Sequence, residues 1–123
     1  MTQERPLSRE ERLRRVGKVC VHFARNMAYY RAARDGEEWI TPAGSNFWNT
    51  TTANFIDTAV LEWCKVFAEK NGRQHWRKVV SDATLFEAGM LGEVEMDAAA
   101  FEAVIDAVRI YRDKFLAHLD SNR

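Results

Sequence analysis

Residues 55–67 read FIDTAVLEWCKVF, and the fold follows from how their apolar positions recur. Phe55, Ile56, Ala59, Val60, Trp63, Cys64 and Phe67 are separated by steps of one, three and four, the spacing of one helix face. Leu61 and Val66 fall on other faces, so this helix is apolar around much of its girth and belongs at the centre of whatever the chain builds. Its expected span is Ser45 or Asn46 to Lys70, with Asn71-Gly72 as a left-handed C-terminal cap. Thr50, Thr51 and Thr52 are poor helix formers, and a bend or late start is expected there.

Two more amphipathic segments flank this one. From Ser8 to Arg34, Leu13, Val16, Cys20, Phe23, Met27 and Tyr30 form a stripe at steps of three and four. Ser8 and Glu11 make a capping box at its start, and Asp35-Gly36 supplies the stop. A connection over 36–44 carries Trp39, Pro42 and Gly44. At the other end, Asp97 is a good N-cap, Met96 can staple against Phe101, and the helix runs to about Leu119. Between the long helices, His75 to Val80 and Leu85 to Met90 read as short helical turns, with Trp76 plugging the end of the core. No stretch reads as a strand. The expected fold is all-α, a four-helix-bundle-like single domain over 8–123 with three long amphipathic helices, short helical pieces and a disordered N-terminus over 1–7.

At 123 residues the chain is long enough to bury one core without disulfide or metal staples. The arginines of the first 15 residues interrupt any apolar run that could act as a signal peptide, and no segment nears the roughly 18 apolar residues of a membrane span. The expectation is a cytoplasmic protein that does not enter a membrane. Cys20 and Cys64 are isolated among apolar residues and read as small buried thiols. His22, His75 and His118 form no ligand motif, so neither a metal nor a cofactor is expected. Net charge is zero, which argues against indiscriminate nucleic-acid binding, but its distribution is uneven. Residues 1–34 hold nine Arg and Lys against three Asp and Glu (net +6), and the remainder hold nine against fifteen (net −6). Arg12, Arg15, Lys18, His22 and Arg25 share the side of the first helix opposite its apolar stripe. Arg12, Arg15, Lys18 and His22 are therefore candidate RNA contacts, although a solvated polar face explains them as well. Trp39, Trp48, Trp63 and Trp76 could stack bases, but at this spacing they read as core and loop anchors.

The last helix holds one residue out of place. On a wheel of about 100° per residue, Arg112 lies about 20° from Phe101, inside the arc that holds Val104, Ile105, Val108, Phe115, Leu116 and Leu119. A guanidinium there needs a carboxylate partner, a route to water or a binding surface, because burying it unpaired costs several kcal/mol. Asp57 and Glu62 of the central helix are the candidate structural partners. His118, six residues on, lies about 9 Å further along the axis and about 120° round. One helix cannot easily close both groups on one phosphate, whereas a two-fold pairing of this helix could join two Arg112/His118 sets in one cleft.

The string Tyr111-Arg112-Asp113-Lys114-Phe115-Leu116-Ala117-His118-Leu119-Asp120 resembles the signature of the HEPN superfamily, small helical domains found in many toxin–antitoxin, abortive-infection and CRISPR-associated ribonucleases. That signature is an Arg, a polar residue and, a few positions on, a His, places filled here by Arg112, Asp113 and His118. The resemblance implies a homodimer through the last helix with a composite cleft, cutting RNA without a metal as the toxin or effector of a bacterial toxin–antitoxin or phage-defence system. Arg112 would contact the scissile phosphate, His118 would act as general acid and base, and Asp113 would orient one of them or support the helix. The alternative is a non-catalytic HEPN-like module that binds a protein partner, such as a nucleotidyltransferase-type antitoxin, or a nucleotide. A third reading is a bundle held only by its core.

Overall fold

A computed structural model describes residues 5–35 and 46–121, and within them all side chains except those of 35 and 118–121. The chain is all-helical: α1 (Arg9–Asp35), α2 (Asn46–Phe67), a 3-10 turn at Trp76–Lys78, α3 (Ala83–Val94) and α4 (Ala98–Ser121). The connection over 36–44, with Gly36, Trp39, Pro42 and Gly44, lies outside the described residues, as do Ser45 and residues 1–4 of the segment expected to be disordered. Arg5 to Leu7 are placed beside α1, where Arg5 pairs with Glu11 at 2.9 Å. No helix among the described residues is long and apolar enough to cross a membrane.

The central position of α2 follows from its two-sided apolar girth. Val66 packs with Val16 and Val19 of α1 and with Trp76 and Val79 of the turn that follows. Cys64 and Ala68 face the other way, onto Ile105 of α4, with Val60, Trp63, Phe101 and Val108 around them. Both neighbours run antiparallel to α2: Tyr29 meets Phe55 while Val16 meets Val66, and Tyr111 meets Asp57 while Lys70 meets Glu102. Burying each such aliphatic side chain is worth about 1.5–3 kcal/mol, so two seams on one helix hold the bundle together.

The buried line of α1 is rotated from the expected stripe. Val16 and Val19 are buried, whereas Leu13 and Cys20 are exposed. Cys64 is buried as expected; Cys20 is not. The apolar residues of α1 wrap widely enough that spacing alone chose the wrong neighbour of Val16. The same rotation brings Arg12 next to the core line instead of opposite it, and its side chain is half-buried.

Helix ends follow local chemistry. Ser8 Oγ accepts from the Glu11 amide at 3.2 Å, and the Glu11 carboxylate takes the Ser8 hydroxyl, half of a capping box. Asp97 caps α4 through the Ala100 amide at 2.7 Å. Asp82 caps α3 in the same way through Leu85, so the stretch read as short helical turns includes a full 12-residue helix. The threonines do not delay α2, which already runs from Asn46: Thr51 and Thr52 donate their hydroxyls to the carbonyls of Phe47 and Trp48, four residues back.

The end of α2 differs from expectation. The helix stops at Phe67, and neither Asn71 nor Gly72 takes up a left-handed backbone. Instead the Glu69 amide bonds to the Cys64 carbonyl and the Gly72 amide to the Glu69 carbonyl, tightening the chain into a turn. The one left-handed non-glycine among the described residues is Glu95, at φ 55° and ψ 43°, closing α3. A side chain there carries a steric cost that glycine lacks. Glu95→Gly is expected to raise the unfolding free energy by about 0.5–1 kcal/mol, read as a higher urea midpoint at unchanged slope.

Candidate functional site

The C-terminal end of α2 gathers the groups that matter. Its last carbonyls point along the axis with the negative end of the helix dipole, and cations collect there. Arg109 donates to the Ala68 carbonyl at 3.2 Å. Arg112 reaches the same corner from one turn further along α4. Its Nη1 donates to Glu69 at 3.0 Å, while Nε and Nη2 both donate to Asp113 Oδ1, at 3.1 and 3.0 Å. The Arg112 side chain keeps only 15% of its surface, against 48% for Glu69 and 61% for Asp113. The stem therefore fills the α2–α4 seam and the carboxylates sit at its rim.

Arg112 thus lies on the apolar face of α4, as the wheel places it, and its charge is balanced within its own chain. Neither carboxylate expected from the sequence is its partner. Asp57 instead accepts the Tyr111 hydroxyl at 2.7 Å, which raises the phenol to a pKa of about 12, and Glu62 lies 3.7 Å from Lys65. Glu69 was not singled out because it lies beyond the apolar run, and only the turn after Phe67 brings it back over α4. Burial pushes up the thiol of Cys64 beneath this corner, against a smaller pull from Arg112.

His118 is in the last turns of α4, but its side chain lies outside the described residues, as do those of Leu119 and Asp120. Arg12 and Arg15 line a concavity with Arg5, Arg73 and Lys78. Lys18 and His22 instead border a shallow depression with Arg14 and Arg25, further along α1. Among the described residues, no three His, Cys, Asp or Glu come together as a metal could use them.

The histidine that sequence reading passed over is the most buried polar side chain described. His75 is 1% exposed and stacks on Trp76. Its Nδ1 accepts from the Arg77 amide at 3.2 Å, and the ring also bonds to the Phe67 backbone at the end of α2. An acceptor at Nδ1 requires the neutral ring. Burial, more than the cations Arg77, Lys70 and Lys78, lowers its pKa from 6.5. The signal available was the adjacency of His75 and Trp76 just after the central helix, a pair suited to closing the end of a core.

No family model, no curated protein and no solved structure matches the chain.

Two outcomes follow. Because the folded state holds His75 neutral, it contributes stability that is complete above about pH 6.5 and declines as pH falls through that value toward the folded pKa. Chemical denaturation between pH 7.5 and 5 is expected to show that decline, and His75→Gln to flatten it. At the α2 corner, Arg112→Ala is expected to cost about 1–2 kcal/mol, chiefly from lost packing of its stem, and Glu69→Gln under about 1 kcal/mol. Urea titration of both variants checks the ranking.

Proposed function

We propose that the chain is a HEPN-like helical module that works by binding a protein partner, not by cutting RNA. The observation that carries this reading is the state of Arg112. Its Nε, Nη1 and Nη2 all donate to carboxylates of its own chain. With Glu69 and Asp113 both bonded to the guanidinium, a phosphodiester arriving there has to displace a carboxylate. The second support is apolar surface left open. Leu85 is 70% exposed on α3, with Phe86 and Val94 also exposed, and these three border one shallow depression. On α4, Ile110 is exposed opposite the core face, with Ala99, Ala103 and Ala117 on the same side. Small residues around Ile110, with Asp106 and Lys114 a turn to either side, suit a second copy packed through the last helix, and the α3 depression suits a cognate antitoxin or other protein.

The endoribonuclease reading stands second, with an observation of its own. Asp113 holds Arg112 through two donors, the orienting role the resemblance implies for it, and both carboxylates are exposed enough to be exchanged in an assembled dimer. In that reading Arg112 binds the phosphate and His118 moves the proton without a metal. RNA incubated with wild type, Arg112→Ala and His118→Ala in the presence of EDTA separates the two. The binding reading expects the same residual cleavage from all three. Cleavage by wild type that both folded variants lose would establish the nuclease.

A further inference from the structure

The Arg12 concavity differs from the Arg112 corner in every electrostatic respect. It has a volume of about 430 Å³ and lies between the segment before α1, the first turns of α1 and the chain after α2. Arg5, Arg12, Arg15, Arg73 and Lys78 line it, and its only other lining residues are Pro6 and Leu7, so no carboxylate faces into it among the described residues. Arg5 is neutralised by Glu11, and Lys78 donates to the Asn71 carbonyl. The side chains of Arg12, Arg15 and Arg73 have no hydrogen-bond or ion-pair partner among the described residues. Arg12 goes further, since its Nε is shut off from solvent and bonded to nothing. Three guanidiniums converging without counter-charge repel one another, and a buried donor left unmade costs about 1–3 kcal/mol or more. An anion in the concavity relieves the repulsion, meeting the guanidinium ends that face it.

We infer that this concavity is a phosphate-binding site for a nucleic-acid backbone. Guanidinium groups suit phosphate oxygens because their paired donors match paired acceptors. The lining has no aromatic ring on which a base could stack and no amide side chain to read a base edge, so the contacts it offers are to the backbone. The cationic row does not stop at the concavity. Lys18 and Arg25 continue it along α1 beside the next depression, and Arg12 to Arg25 spans about 20 Å of helix. A track of that length fits a polyanion better than a lone phosphate. The site lies on other residues than the α2–α4 corner and holds whichever reading of Arg112 is right.

The test is fluorescence anisotropy with a labelled unstructured single-stranded RNA at several salt concentrations. Wild type is expected to bind with an affinity that falls linearly on a log–log salt plot. The triple variant Arg12→Ala, Arg15→Ala, Arg73→Ala is expected to lose at least about tenfold and to flatten the slope by about two, three contacts at roughly 0.7 each. Arg73→Glu, a single change in an exposed turn, guards against a folding defect and is expected to weaken binding by itself. Arg31→Ala with Arg34→Ala, at the far end of α1, is expected to leave binding unchanged. Wild type that does not bind, or a triple variant that binds with wild-type affinity and slope, overturns the inference. So does tripolyphosphate or polyglutamate that displaces the RNA at equal charge, because the site would then hold a free polyphosphate or an acidic protein.

Discussion

The structure depends on α2 being covered from two sides. Val66 on one side and Cys64 with Ala68 on the other commit a single helix to two seams, and both neighbouring helices run antiparallel to it. A helix used this way can end only where the chain leaves the shelter of both neighbours. Its final carbonyls then need donors from elsewhere. The Ala68 and Glu69 amides turn back onto the Cys64 carbonyl, His75 bonds at the Phe67 backbone, and Arg109 takes the Ala68 carbonyl just past the end. The corner that results is where Arg112 is found, and its pairing with Glu69 is a consequence of how α2 terminates.

This explains why a charged residue sits on the apolar face of α4 without cost to the fold. The stem of Arg112 is packed in the seam, and its head emerges where a helix C-terminus favours a cation and two rim carboxylates await it. The cations of α1 are in the opposite situation. Arg12 is drawn toward the core line by the rotation of the helix, and Arg15 and Arg73 converge beside it with nothing of opposite sign facing them. One cluster of positive charge is spent on the fold and the other is left available. Their contrast, more than net charge, distinguishes a structural arginine from one poised for a ligand.

The architecture was legible from the apolar periods of the three long helices, and the girth of residues 55–67 placed α2 at the centre. The N-caps at Ser8 and Asp97 were legible too, since a short polar side chain before an apolar period has few other uses. What spacing could not give was rotation about an axis where apolar residues wrap widely. That ambiguity put Cys20 inside and Arg12 outside when the reverse is closer to the structure. Asn71-Gly72 was misread because a turn held by His75 and Glu69 replaces the glycine cap. At the candidate site, the placing of Arg112 on the core face could be read from one helix alone. Its partner could not, because Glu69 reaches α4 only through a turn whose geometry depends on side chains far off in sequence.

If Arg112 belongs to the fold, its guanidinium should ignore RNA even when RNA is bound. The most direct measurement is the Arg112 Nε–H resonance in a ¹⁵N-resolved NMR titration with single-stranded RNA. The expected result is a signal protected from water that stays in place while resonances of Arg12, Arg15 and Arg73 move. A shift of the Arg112 signal as RNA is added, with the α1 cations unmoved, would contradict the account.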